Sequence, residues 1–365
     1  DVGAKLVELP EEIYSFTYRC SGFGEETVAK GEISLLGQVM KMGWPPKWET
    51  METGFYPKGA SAAIPYYGGD IKSDIKLIWE LNRLQWIPPI ASFAIRSEDE
   101  ELCKQIIDSF IDYSEKHPYG RTIAWMEGIE VSLRAISVII SCGLIGNKID
   151  LDRRSRLNYW ICLHGDWLSR HLSRKWRLNN NHLILELIGL SIIGMHFYEH
   201  TNGKEWLSKS IPLLVKELES QTIDGRNWEP TTAYHRFVTE ACLVFLSFAR
   251  KSDAIDKEVT DKFEEIIGEM VVTLVQISDS YGSIPLVGDD DAAIVLPLDG
   301  LVNARDCSKV IKFAKNLGFE IDKRPIGAKV WEGTGMGVAW ENEIHAHLVS
   351  GSPGGRMRQA SHRHL

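Results

Sequence analysis

From about Asp70 to Leu317 apolar residues recur at spacings of three and four, with breaks at Gly, Pro and Asn. That period marks helices packed by one face. It predicts helices over 71–87, 98–115, 124–144, 150–171, 181–199, 205–220, 232–250, 256–278 and 303–317. Nine helices joined by short loops, with no strands between them, exclude a doubly wound α/β sheet and point to stacked helical hairpins, either a bundle or an α/α toroid. No fixed-period sequence repeat stands out, which disfavours a named solenoid. Residues 1–60 mix short apolar runs with Gly and Pro and read as an irregular opening segment with a few short strands. After Pro325-Ile326-Gly327 the period falls to two, with Val338, Trp340, Ile344, Ala346 and Leu348 alternating with polar residues. The expected division is therefore 1–60, a helical domain over 61–322, and the beginning of a β-domain over 323–365.

Composition narrows the partners. Across 365 residues the formal charge is −9, so the molecule as a whole lacks the phosphate attraction that dominates nucleic-acid binding, and an anionic ligand has to be held locally. Twelve Trp are many for one chain, and indoles stack well on the flat apolar faces of sugar rings as well as filling cores. The apolar stretches Leu183–Met195 and Val131–Ile145 fall short of the ~20 residues that span a bilayer, so no membrane insertion is expected. Six scattered cysteines without a CxxC pair suggest buried thiols, neither a disulfide framework nor a zinc site. They suit a reducing compartment, and no charged-then-apolar leader precedes Asp1.

Two stretches carry candidate chemistry. In Asn179-Asn180-Asn181-His182 the asparagines suit a loop and helix cap, and residues 183–195 are apolar on every face, so the helix that follows is expected to be buried all round. His182 and Glu186 are i,i+4 neighbours on it, a spacing that predicts a pair raising and orienting the imidazole; a purely structural pair is the plainer alternative. The basic run Arg170, His171, Arg174, Lys175 and Arg177 just upstream is either a solvated face or an anion site. In the second stretch, Asn227–Phe237, Thr231 or Thr232 caps a helix whose apolar face holds Tyr234 with Phe237, Ala241 and Phe245. Tyr234 lies in the first turn beside Glu229, His235 and Arg236, where the helix macrodipole is expected to favour the phenolate.

Weaker signals accompany these. Trp79, Asn82, Arg83 and Trp86 share one helical face, which suits a sugar platform or a core with a polar rim. Trp125 with Glu130 and Arg134 reads as structural. Gly288-Asp289-Asp290-Asp291 lacks the Glu that closes a calcium loop, since position 300 is Gly, and reads as an acidic turn. His345-x-His347 and His362-x-His364 place imidazoles on one side of a strand, but neither pair completes a metal ligand set.

Taken in order, Asp74-Ile75-Lys76 with Trp79-Glu80-Leu81-Asn82-Arg83, Trp125 with Glu130 and Arg134, Asn180-Asn181-His182 with Glu186, Ala233-Tyr234-His235-Arg236 and Gly288-Asp289-Asp290-Asp291 resemble the heparinase II/III-like polysaccharide lyases. That group is related to oligoalginate lyases and, more distantly, to dermatan-type uronyl C5-epimerases. The resemblance runs from about residue 70 to the end. It implies a mainly α fold, an incomplete α/α toroid followed by the start of an antiparallel β-sandwich domain, truncated here. It implies an acidic polysaccharide or oligosaccharide as substrate, and a periplasmic or secreted setting.

The implied chemistry is β-elimination at a uronate, whose C5 proton becomes acidic once the neighbouring carboxylate is neutralised by hydrogen-bond donors. By resemblance Asn181 and His182 neutralise that carboxylate, while Tyr234 takes the C5 proton and hands a proton to the leaving oxygen. His362 matches a further active-site histidine. His364 matches a ligand of a structural zinc, the rest of whose ligands would lie beyond Leu365, so zinc is expected only in a complete protein. Trp79, Asn82, Arg83, Trp125, Glu186, Trp228, Glu229, His235 and Arg236 are the expected substrate-binding residues. Three other readings stay open. The same proton abstraction suits a uronate C5-epimerase; Glu186 with Glu229, or Asp289 with Asp291, suit a glycoside hydrolase; and the Trp faces alone suit a non-catalytic glycan-binding protein.

Overall fold

A computed structural model of the chain describes residues 3, 5–18, 23–48, 60–64, 75–174, 180–229, 231–291, 293–297, 303–321, 327–332, 335–341 and 344–349. Seven helices in succession build the centre: α5 (Glu100–Lys116), α6 (Gly128–Ile145), α7 (Leu151–Arg170), α8 (Asn181–His196), α9 (Thr201–Gln221), α10 (Thr232–Lys251) and α11 (Lys257–Ile277). They alternate between two layers. α6, α8 and α10 are buried on nearly every face, whereas α5, α7, α9 and α11 bury one side only. The inner helices pack on one another, α8 against α6 and α10, and the outer helices close hairpins around them. This follows from sequence: a helix apolar all round has no face to give to water and is driven inside. Ser132 Oγ donates to the Leu185 carbonyl at 2.6 Å where α6 meets α8. Gly189 permits that approach, since a Cβ there would lie 2.1 Å from Ser132 Oγ.

Because each outer helix returns the chain, the inner helices run the same way and present their N-termini at one end. α6, by length and composition able to cross a membrane, has 94% of that window buried inside the fold, as the core helix of a toroid must.

The flanks differ from expectation in places. The opening segment holds a hairpin, β1 (Glu32–Leu35) with β2 (Gln38–Lys41), but also two helices, α1 (Glu11–Tyr18) and α2 (Phe23–Lys30), which pack by short amphipathic faces on the core. The helix expected over 71–87 ends early: α3 spans Ile75–Asn82, Leu84 takes a positive φ of 55°, and Pro88-Pro89 open a separate α4 (Pro88–Arg96), where missing N–H groups cost nothing. α12 is confined to Ser308–Asn316. A two-residue ribbon, β3 (Thr222–Ile223) with β4 (Arg226–Asn227), joins α9 to α10. The last described residues form an antiparallel sheet, β5 (Gly327–Trp331), β6 (Met336–Glu341) and β7 (Ile344–Val349), in that spatial order. Its buried Trp331 donates Nε1–H to the Asp224 carbonyl at 3.2 Å, seating the sheet on the β3–β4 turn.

Candidate functional site

The inner-helix N-termini bring the two sequence stretches together. Asn180 caps α8, its Oδ1 accepting from the His182 N–H at 3.2 Å. Asn181 points to the loop before α10: its backbone N–H and its Nδ2 both donate to Glu229 Oε1 at 2.9 Å, and Nδ2 lies 3.1 Å from Oε2. The Glu229 carbonyl accepts from the Thr231 N–H at 2.8 Å, and Thr231 Oγ1 caps α10 by accepting from the Tyr234 N–H at 3.2 Å. Asn181, Glu229 and Tyr234 thus form one continuous wall. Burial pushes Glu229 up to about 7, opposed by the Asn181 hydrogen bonds and reinforced by Asp289 and Asp291.

Facing this wall is a chain of charges centred on α3 and the turn after it. The Tyr234 hydroxyl donates to Asp291 Oδ2 at 3.1 Å, and the same oxygen lies 3.6 Å from Lys76 Nζ. Lys76 also pairs with Glu80 at 3.1 Å; Glu80 meets Arg83, and the Arg83 guanidinium grips Glu130 through Nε at 2.5 Å and NH2 at 2.8 Å. Burial alone would raise Glu130, but Arg83 overrides it, and the carboxyl sits below its ordinary value with help from Lys76 and His182. His182 is half-buried at this mouth, as are Trp79 and Lys76. The segment 293–296, just after Asp291, is strapped down by Gln85 Nε2 on the Ile294 and Val295 carbonyls at 2.6 and 2.8 Å, by Arg236 on the Ala293 carbonyl, and by the Leu296 N–H on Glu240 Oε1 at 3.0 Å.

The expected His182–Glu186 pair gives way to a different partner. Glu186 Oε2 accepts from the Ser173 N–H at 2.7 Å and its Oε1 contacts Ser173 Oγ at 2.6 Å, while the electrostatic influence of His182 falls on Glu130. Glu186 is fully buried against the first turn of α6: a Cβ on Gly128 would stand 2.4 Å from its Oε1. Gly128→Ala is therefore expected to destabilise the fold by about 1–3 kcal/mol through overpacking, read as a lower melting temperature. Burial pushes Glu186 up to about 8 and the neighbouring Glu127 up to about 7. A carboxyl raised in the folded state favours folding while it stays protonated, and that contribution is lost as pH climbs from 4.5 through about 8. Over that window the melting temperature of the wild type is expected to fall faster with pH than that of Glu186→Gln, a difference calorimetry at stepped pH would measure.

Several sequence candidates are core rather than cleft. Trp125 is 1% exposed, hydrogen-bonded to the His117 carbonyl and covered by the Arg134 guanidinium at 5.2 Å. Asn82 is buried, accepting from the Tyr113 hydroxyl and donating to the Ile78 carbonyl. Trp86 leaves the shared face because α3 stops before it, and it packs on Trp48. Trp228 is buried with its Nε1 on Gln221 Oε1. His235 is a satisfied core histidine: Nδ1 accepts from the Asn227 N–H at 3.1 Å, Nε2 meets the Met270 carbonyl at 3.1 Å, and burial pushes it down to about 3. Arg236 is spent on Glu240 and Ala293. Arg83 is buried as well, 2% exposed, as the centre of an ion network with Glu80 and Glu130.

The phenolate expectation is also reversed. Burial first, then Asp291, Asp289 and Glu229, hold the Tyr234 phenol well above its ordinary range, outweighing the macrodipole. In the basic run, Arg170 is exposed and paired with Asp166, and His171 stacks on Trp167, so this part faces solvent; Lys175 and Arg177 lie outside the described residues. His362 and His364 lie outside them too, and among the described residues no cluster of His, Cys, Asp and Glu is built to hold a metal.

Sequence reasoning missed Glu127 altogether and gave no role to Lys76 or to Asp291 as Tyr234's partner. The only signal was the acidic turn at 288–291, whose distance of 57 residues from Tyr234 concealed the contact.

Comparisons agree with this architecture. A family model described as Heparinase II/III N-terminus matches residues 47–294. Among solved structures, the heparan sulfate lyase HepC from Pedobacter heparinus is similar over 91% of this chain and 52% of its own, with 16% identity and a TM-score of 0.56. A crystal structure of heparinase III matches 91% of this chain and 51% of its own, at 15% identity and a TM-score of 0.57; a second heparinase III gene product gives 19% and 0.53, with coverage of 91% and 50%. At such identities the likeness is one of fold, here a helical toroid, and the chain spans about half the length of the structures it matches. A search of curated proteins finds no match. With well over half of its residues inside the family model, the chain belongs to the heparinase II/III N-terminus family.

Proposed function

We propose that the protein is a polysaccharide lyase that cleaves a uronate-containing glycan by β-elimination, with Tyr234 as base and acid. The observation that carries this reading is the junction of the α8 and α10 N-termini, where Asn181 and Tyr234 are tied through Glu229 and Thr231, with His182 half-buried beside them. Two aligned macrodipoles favour an anion at that mouth. A uronate carboxylate arriving there would be received by His182 and by Asn181. Glu229, already raised to about 7, takes up a proton as the second carboxylate approaches and so loosens its hold on the Asn181 amide. Trp79, half-buried at the mouth, offers an indole face to a sugar ring. Neutralising the carboxylate acidifies C5–H, and the Tyr234 oxygen takes that proton on the side from which it serves the leaving oxygen.

The test is to incubate the full-length protein with heparan sulfate, alginate and chondroitin-type polymers and follow the ultraviolet absorbance of the unsaturated product. Heparan-type polymers come first because a heparan sulfate lyase is among the similar solved structures. New reducing ends without that absorbance would indicate a hydrolase, and exchange of the C5 proton with solvent deuterium without cleavage would indicate an epimerase.

A further inference from the structure

Asp291 stands between Tyr234 and a lysine, a place the elimination chemistry above leaves unused. Its Oδ2 accepts from the Tyr234 hydroxyl at 3.1 Å and lies 3.6 Å from Lys76 Nζ, which is anchored in turn to Glu80 at 3.1 Å. The phenol is 4% exposed, whereas the side chains of Asp291 and Lys76 are 25% and 20% exposed, so a proton placed on Asp291 has a way to water. The neighbours that face this carboxylate are Lys76 and Arg83 from α3 and the turn after it, Tyr234 from α10, Glu229 before it and Asp289 on the same loop. Of the nearby carboxylates, Glu229 is held by Asn181, and Asp291 is the one the phenol touches. A phenol buried among three carboxylates is not a ready-made base, so its own proton must leave as the C5 proton arrives.

We propose that Asp291, steadied by Lys76, is a positioning residue and proton relay for Tyr234, an inference that rests on the lyase reading. In the step, the C5–H bond breaks and its proton goes to the Tyr234 oxygen, while the phenolic proton crosses to Asp291 Oδ2. The C5–H electron pair becomes the C4–C5 double bond, and the C4–O4 bond breaks with its pair on O4. Tyr234 then gives the proton it gained to O4 and recovers its original proton from Asp291. Nothing is oxidised or reduced, and the enzyme returns to its starting state.

The experiment measures kcat and KM of Asp291→Asn, Asp291→Ala and Tyr234→Phe on the polymer that the wild type cleaves best, with and without added formate. Expected is a fall in kcat of about 10²-fold for both Asp291 variants with KM changed by less than about threefold, and recovery of at least about tenfold by formate in Asp291→Ala alone. Full turnover in both Asp291 variants with Tyr234→Phe inactive would overturn the relay and leave the lyase reading standing. Loss without formate rescue, or a loss carried by KM, would reduce Asp291 to a structural group and overturn it too. Turnover surviving in Tyr234→Phe, or cleavage of no polymer by the wild type, would remove the reading beneath it.

Discussion

Tyr234→Phe is expected to lower kcat by about 10⁴-fold, the upper end of what general acid–base groups contribute, because one oxygen serves both proton transfers. Polymer binding should hold to within about threefold in KM, since the ring stays in place and the carboxylate donors at the α8 N-terminus are untouched. The fold should lose only about 1 kcal/mol. The hydroxyl's partner, Asp291, is 25% exposed and has Lys76 beside it, so removing the phenolic donor strands no buried charge. A variant that melts near the wild type yet turns over at background rate separates chemistry from packing. Near-normal turnover would take Tyr234 out of the mechanism and return it to the core, where its 4% exposure would then place it without remainder. The measurement pairs steady-state kinetics, by absorbance of the unsaturated product, with a thermal melt.

The helical frame was legible because burial writes itself into spacing. α8 carries an apolar residue at almost every position from Leu183 to Met195, and the structure makes it the inner helix with neighbours on every side. The ends of elements were legible where a capping side chain stood, as at Thr231 and Asn180, and misread where the apolar spacing ran on past a left-handed residue, Leu84, to the prolines that open α4. The site was harder. Local spacing paired His182 with Glu186, but an i,i+4 relation says only that two side chains can meet, not that they prefer each other to Ser173. Likewise His235 and Arg236 share the first turn of α10 with Tyr234, yet a helix turns about 100° per residue, so its two neighbours point elsewhere, into Met270 and Glu240. What no spacing rule reaches is the meeting of Lys76, Tyr234 and Asp291, which depends on how a loop after α11 is strapped across the toroid.

That strap is the basis of the other large effect. Arg236 and Glu240 pair at 2.6 Å with both side chains fully buried, and between them they hold the Ala293 carbonyl and the Leu296 N–H. Arg236→Met is expected to cost about 3–5 kcal/mol, because it leaves Glu240 as an uncompensated buried carboxylate. Arg236→Met with Glu240→Leu should recover most of that loss, since two well-packed apolar groups replace a pair whose desolvation is costly. Turnover should not recover with it. The double variant keeps the Gln85 bonds but still lacks the other two hydrogen bonds that fix residues 293–296, and Asp291 sits just before them, so its alignment on Tyr234 stays loose even in a stable fold. Denaturant unfolding and kinetics on the same three proteins measure both halves. A single variant as stable as the wild type would refute the buried-pair account, and a double variant with restored kcat would show that the strap does not set the geometry of the Tyr234 site.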